Sequence, residues 1–258
     1  MIRPRLIPAL LYRNKGLVKT RKFKDFKYIG DPLNAVRIFN EKNVDELLFI
    51  DIDATKNNQE PDYELIRKIS AECRMPLTYG GGIKNVKQIG KIISLGVEKV
   101  SLSSILFEKN NLIKHATDMV GKQSIVVTID IKKTGILNKY KIFIKNGTIN
   151  TKIDPIDFIY KLSDCEPGEL LINFIDRDGE RTGYDMDYVS KICNIIKIPF
   201  TVLGGARSLN DFKLLYNKFG IIGAAAGSVF TLKGKYNAVL INYPSNKEKK
   251  ALYNGFKY

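Results

Sequence analysis

The sequence predicts an α/β fold, a single (β/α)8 barrel assembled from two half-barrel repeats, on three observations. Short apolar runs alternate with amphipathic runs along the whole chain, the pattern of a parallel sheet clothed by helices. The 258 residues match the roughly 250 typical of one barrel of eight strand–helix units. The chain also repeats itself. Phe49-Ile50-Asp51-Ile52-Asp53-Ala54 returns as Phe174-Ile175-Asp176-Arg177-Asp178-Gly179. Tyr79-Gly80-Gly81-Gly82-Ile83 returns as Leu203-Gly204-Gly205-Ala206-Arg207, and Ser103-Ser104-Ile105-Leu106-Phe107 as Gly227-Ser228-Val229-Phe230. The offsets are 125, 124 and 124 residues, so the single domain 1–258 divides into half-barrels of about 1–120 and 121–240.

In chain order, strands are expected near 5–11, 46–52, 76–80, 98–103, 124–130, 169–176, 199–203 and 221–226. Helices are expected near 32–43, 62–73, 86–95, 109–119, 155–163, 186–196, 209–218 and within 232–242. Asp31-Pro32 gives a clean helix entry, a capping carboxylate followed by proline at the first helical position. Residues 12–30 read as a long polar loop after the first strand. Residues 133–152 read as a hairpin, with Tyr140 to Ile144 alternating and Asn146-Gly147 turning the chain. Both insertions follow strands, on the C-terminal face where barrel enzymes keep their sites. The Lys-rich tail 243–258 is expected to be polar and weakly ordered.

Forty-two Lys and Arg against 27 Asp and Glu give a net charge of +15. The lysines are spread along the chain with no aromatic-interleaved basic motif, which argues for a solvated surface and against nucleic-acid binding. No apolar run approaches the ~20 residues of a membrane span. Cys73, Cys165 and Cys193 are widely spaced and form no metal or disulfide pattern, as for reduced thiols in a cytoplasm. No cofactor motif is evident.

Two kinds of chemistry remain. Gly81-Gly82 and Gly204-Gly205 each lie between a strand and a helix start, where backbone N–H groups and the helix dipole favour an anion. Ser103-Ser104 and Gly227-Ser228 supply small donors beside those loops, so a phosphorylated small molecule is the expected ligand. Asp130, Asp51 and Asp176 end strands at the barrel mouth, positions suited to a general acid or base, or to capping the next loop. At the opposite end Arg5, Glu46, Lys99 and Glu169 open four strands. Glu46 with Asp51, and Glu169 with Asp176, are odd-spaced, so both members can face inward only across a bulge. Buried together, the four floor charges must pair, either to close the barrel or to gate it.

Over almost its full length the chain resembles the cyclase subunit of imidazole glycerol phosphate synthase. The resemblance runs through Gly30-Asp31-Pro32, Asp45-Glu46 to Asp51, Gly80-Gly81-Gly82-Ile83, Val127 to Asp130, Asp176-Arg177-Asp178-Gly179, Gly183-Tyr184-Asp185 and Gly204-Gly205-Ala206. It implies a barrel of two halves, a glutaminase subunit docked on the barrel bottom, and ammonia crossing to a bis-phosphorylated substrate at the top. It implies that Arg5, Glu46, Lys99 and Glu169 gate the ammonia. It places the phosphates at Gly81, Gly82, Ser103 and Ser104, and at Gly204, Gly205, Gly227 and Ser228. Asp130 and Asp176 are the expected catalytic or ligand-orienting acids. The family's first catalytic aspartate, however, should follow Pro8-Ala9-Leu10, and this chain has Leu11. Leucine transfers no proton, and losing such a group typically costs about 10²–10⁴-fold. A retained gate with a lost acid resembles the paralogues of surface-polysaccharide pathways. There, such a subunit accompanies an ATP-dependent sugar amidotransferase that turns an acetamido sugar into an acetamidino sugar. The alternatives are a working cyclase of histidine biosynthesis, with Asp51 or Asp176 replacing the lost acid, and a non-catalytic scaffold that activates the glutaminase.

Overall fold

A computed structural model describes residues 4–109, 111–162 and 165–253. Its elements are β1 (Arg5–Arg13), β2 (Gly16–Arg21), β3 (Lys24–Gly30), α1 (Pro32–Glu41), β4 (Leu47–Asp51), α2 (Tyr63–Glu72), β5 (Leu77–Gly80), α3 (Val86–Ser94), β6 (Lys99–Leu102) and α4 (Leu112–Val120). They continue as β7 (Ile125–Thr134), β8 (Lys139–Ile144), β9 (Ile149–Asn150), α5 (Pro155–Leu162), β10 (Glu169–Phe174), α6 (Met186–Cys193), β11 (Phe200–Leu203), α7 (Leu209–Phe219), β12 (Gly223–Ala226), α8 (Ser228–Thr231), β13 (Leu232–Lys233), β14 (Ala238–Val239) and α9 (Asn246–Tyr253).

Eight strands close a parallel ring in the order β1-β4-β5-β6-β7-β10-β11-β12, with β12 returning to β1. Period-2 alternation divides each strand between two cores. The outer face, with Leu6, Leu10, Leu47, Phe49, Val100 and Val127, packs under the helices. The inner face contributes a small plug inside the ring, Ile7, Ala9, Leu48, Val126, Leu171 and Ala225. The helices start where the sequence supplies acceptors: Asp31 takes the Asn34 N–H at 2.9 Å and Asn85 the Gln88 N–H at 3.0 Å. A reciprocal box of Ser208 and Asp211 opens α7.

Three segments depart from expectation. Residues 12–30 are an antiparallel hairpin: β1 runs on to Arg13, pairs with β2, and β2 pairs with β3. Its tight turns have positive φ at both central residues, Asn14-Lys15 and Lys22-Phe23, without the Asn-Gly chemistry that advertises such turns. Residues 232–242 hold the β13–β14 hairpin rather than a helix, α8 having ended at Thr231. The tail forms α9, entered through a reciprocal Ser245–Glu248 cap and docked through buried Tyr243, Lys249 and Leu252. Expected helix residues 110 and 163 and tail residues 254–258 lie outside the described residues. The 133–152 hairpin forms as β7, β8 and β9.

Candidate functional site

The barrel floor is a closed ring of four charges. Arg5 starts β1, Glu46 precedes β4, Lys99 starts β6 and Glu169 starts β10, and the parity of each strand turns these side chains inward. Arg5 Nη1 meets Glu46 Oε2 at 2.6 Å, and its Nη2 meets Glu169 Oε1 at 2.8 Å. Lys99 Nζ meets Glu46 Oε1 at 2.8 Å and Glu169 Oε2 at 2.9 Å. Two hydroxyls complete the carboxylates: Thr78 donates to Glu46 at 3.2 Å and Thr201 to Glu169 at 2.5 Å. Burial opposes the charge on Glu169, but the Arg5 and Lys99 charges and the hydrogen bonds outweigh it and hold the carboxyl down at about 2. Burial likewise disfavours the Arg5 cation, and Glu169 and Glu46 more than reverse this.

Polar groups are interleaved with the apolar plug on the inner face, Ser101 in register with Val126 and Thr128 with Leu171. Ser101 and Thr128 share a 2.7 Å hydrogen bond, and higher up Asn173 Nδ2 donates to Asp130 Oδ1 at 2.9 Å. Burial pushes the Asp130 carboxyl up to about 7; the Asn173 bond opposes this and the Asp178 charge adds to it. Asn173 Oδ1 is buried and accepts nothing among the described residues. These groups line a cavity of about 120 Å³ with Leu11, Ile50, Gly81, Gly82, Ser103, Ser104 and the hairpin residues Phe23 and Phe26.

Asp51 borders the same cavity, but its carboxylate, like that of Asp176, is engaged by backbone N–H groups. β4 pairs in unbroken register with β1 and β5, so the odd spacing from Glu46 turns Asp51 off the inner face. Its Oδ1 accepts from the Asp53 and Ala54 N–H groups at 3.1 and 3.0 Å. Asp176 sits past the end of β10, and its Oδ2 accepts from the Lys133 N–H at 2.7 Å. Leu11 lies in register with Ile50 and lines the cavity, with no carboxylate opposite Asp130 on that strand.

The two glycine loops share one construction. Gly81, at φ 120°, lies so close to Asp51 that a Cβ would stand 2.2 Å from its carbonyl oxygen, and Gly205, at φ 110°, is equally tight against the Gly183 oxygen. Their surroundings differ. The first loop opens on the cavity; there Gly82 N–H donates to Thr55 Oγ1 at 3.1 Å and Ser104 Oγ accepts from Lys145 N–H at 3.0 Å. On the second side the β2–β3 hairpin packs against Gly179 and Gly227, pinned where the Thr20 hydroxyl and the Phe23 N–H both donate to Asp178 Oδ2, at 2.5 and 3.1 Å. Arg181 also reaches the Ser228 carbonyl oxygen, at 3.5 Å.

Sequence reasoning missed Lys19. It is 5% exposed, its amine stands where a Cβ on Gly227 would clash, and it donates no hydrogen bond among the described residues. Burial pushes its amine down against the Asp178 charge. One more lysine in a basic stretch carried no signal. Thr78 and Thr201 did carry one: each is the third residue of a Pro-opened strand, Pro76-Leu77-Thr78 and Pro199-Phe200-Thr201. No described helix is long and apolar enough to cross a membrane, and no described group of His, Cys, Asp and Glu could hold a metal ion.

Fold and site thus define a (β/α)8 barrel with paired glycine loops at its mouth and a charged ring at its floor. A family model described as a histidine biosynthesis protein matches residues 5–237, and the chain belongs to that family. Within it the chain is similar to a provisionally named imidazole glycerol phosphate synthase HisF-type subunit of Vibrio vulnificus, 54% identical over 97% of this chain and 96% of the relative. One of Leptospira interrogans is 51% identical over 98% and 100%. The imidazole glycerol phosphate synthase subunit HisF of Natranaerobius thermophilus is 35% identical over 96% and 98%.

Proposed function

We propose that this chain is the ammonia-receiving barrel of a glutamine-dependent amidation complex. A glutaminase subunit docks on the floor, ammonia passes the ring of Arg5, Glu46, Lys99 and Glu169, and it leaves at the mouth to amidate an acetamido sugar. The sugar is held and activated by an ATP-dependent amidotransferase. The observation that carries the reading is the series of polar groups on the barrel axis: the ring with Thr78 and Thr201, then Ser101 with Thr128, then Asp130 with Asn173. A core built only to pack fills with apolar layers, because each buried polar group costs free energy unless it is paired. A neutral, water-sized hydrogen-bonding molecule needs such rungs. Leu11 argues against cyclisation as the use of that ammonia, since Asp130 would act without a partner acid.

Two observations favour a second reading, the cyclase of histidine biosynthesis. Asp130 is poised near neutrality, the range in which a general acid or base works best, and both glycine loops are retained. It requires a substitute acid, and the carboxylates of Asp51 and Asp176 are engaged by backbone N–H groups. One experiment separates the readings. The chain, with its glutaminase, is assayed for turnover of the histidine-pathway bis-phosphorylated substrate, and separately for amidation with the sugar amidotransferase present. The first reading expects nitrogen transfer only in the second assay; cyclase turnover by the unmodified chain overturns it.

A further inference from the structure

Polar side chains of α9, the last described element, converge on the two segments that carry Arg5 and Glu46. Asp45 is the residue before Glu46, and its carboxylate is 3% exposed. Oδ2 accepts the Leu6 N–H, next to Arg5, at 3.2 Å and the Tyr253 hydroxyl at 3.0 Å. Oδ1 accepts from Lys249 Nζ at 3.1 Å, and the same amine donates to the Asn43 carbonyl oxygen at 2.9 Å. Tyr243 donates its hydroxyl to the Leu6 carbonyl oxygen at 3.0 Å and accepts the Asp45 N–H at 3.2 Å. Tyr216 holds the Arg5 carbonyl oxygen at 2.9 Å. The backbone on either side of the Arg5–Glu46 contact is therefore tied to one buried cluster supplied by Tyr243, Lys249 and Tyr253.

We infer that Lys249 and Tyr253 are positioning residues for the floor ring, acting through Asp45 to fix where Arg5 and Glu46 start. The inference rests on the reading of that ring as an ammonia gate. Lys249 is 8% exposed in its side chain, so its amine is committed to this contact and does not serve as a solvated surface charge. The cluster links β1 and the start of β4 at the Arg5–Glu46 edge of the ring. Loosening it would shift one pair of gate residues against the other, which is the displacement a gate must resist when closed.

The test uses the complex with its glutaminase and acceptor enzyme, and compares Lys249→Met, Lys249→Arg, Lys99→Ala and Ile192→Ala, a core truncation in α6 that lowers stability away from the floor. The readouts are product formed per glutamine hydrolysed and the guanidinium NMR signal of Arg5. Lys249→Met is expected to lower the ratio by about tenfold, the low end of what outer-shell partners cost, and to shift or broaden the Arg5 signal. Lys249→Arg should restore both, and Ile192→Ala should move neither. Should Lys249→Met fail to fold because the buried Asp45 carboxylate loses the Lys249 charge, the double variant Asp45→Asn/Lys249→Met removes both charges and replaces it. An unchanged ratio and Arg5 signal while Lys99→Ala still uncouples would overturn this inference alone. If Lys99→Ala does not uncouple either, the gate reading fails first.

Discussion

Replacing Lys99 by methionine tests the floor ring most directly. The ring is neutral as built, two cations against two carboxylates, and each carboxylate touches both cations. Lys99→Met leaves Glu46 and Glu169 sharing Arg5 alone, with one uncompensated negative charge in a site where both acids are 6% exposed. Breaking a buried pair in this way costs about 3–5 kcal/mol. At about 2–4 °C per kcal/mol for a chain of this size, Tm falls by on the order of 10 °C. Replacing all four together with Met and Leu removes the charges and their desolvation at once, so that variant is expected to be neutral or more stable by about 1–4 kcal/mol. Urea unfolding followed by circular dichroism is the assay, since the chain has no tryptophan. Acid supplies an independent check. The Glu169 carboxyl sits near 2 when folded against an ordinary 4.5, so the unfolded chain binds the extra proton. Its contribution, of order 3 kcal/mol, is complete above 4.5 and disappears as the pH falls through 2. A Lys99→Met protein within about 1 kcal/mol of the parent would mean that the ring behaves as a surface pair, which refutes the reasoning. An unchanged ratio of product to hydrolysed glutamine in a well-folded Lys99→Met complex would remove the gate.

Three further outcomes are expected. Asp130 has a folded value of about 7 against an ordinary 3.8, so the folded chain binds more protons between them. Its contribution is intact below 3.8 and lost as the pH rises through 7, and Asp130→Asn should gain stability on the parent across that window by up to about 4 kcal/mol. A pH-independent difference in Tm would show that Asp130 titrates normally. Leu11→Asp should restore negligible cyclase turnover, because a carboxylate beside Ile50 lies in an apolar wall and the flanking Asn14 to Gly16 form the hairpin turn; robust turnover in a steady-state assay would refute this. Gly81→Ala forces a Cβ to within 2.2 Å of the Asp51 oxygen, so inorganic phosphate binding measured by calorimetry should be lost at the cavity loop. Binding equal to the parent's would put the anion elsewhere.

Much of this was legible because each signal had a period or a copy. Strand and helix positions followed from alternation and from caps such as Asp31 and Asn85, and the closed ring of eight strands followed from their number. The 124–125 residue offsets paired the glycine loops before either was seen, and parity alone separated Glu46 from Asp51. What escaped lacked local chemistry. The β2–β3 hairpin turns on Asn14-Lys15 and Lys22-Phe23, residues that adopt positive φ only because the strands beyond them pair. Tail residues Tyr243, Lys249 and Tyr253 look solvated in sequence, yet the first two are buried and all three are held by partners some 200 positions away. Lys19 is buried by the same kind of distant packing.

The two ends of the barrel constrain mutation differently, and this decides which measurement carries weight. Each ring residue touches partners 41 to 164 positions distant, so a single apolar change strands a buried charge and is costly, while the concerted change is not. The ring is therefore hard to lose one residue at a time, whatever it does. At the mouth the opposite holds. Leucine at position 11 is in register with Ile50 and faces the same cavity as Leu48, so an acid lost there leaves no orphan and relieves a like-charge neighbour of Asp130. An apolar residue at the mouth and a charged ring at the floor are each accounted for by these costs without any common cause. Stability measurements thus report only whether the ring is buried and paired. The nitrogen ratio in Lys99→Met and Lys249→Met complexes reports whether it conducts, because a structural ring can lose several kcal/mol without releasing a molecule of ammonia to solvent.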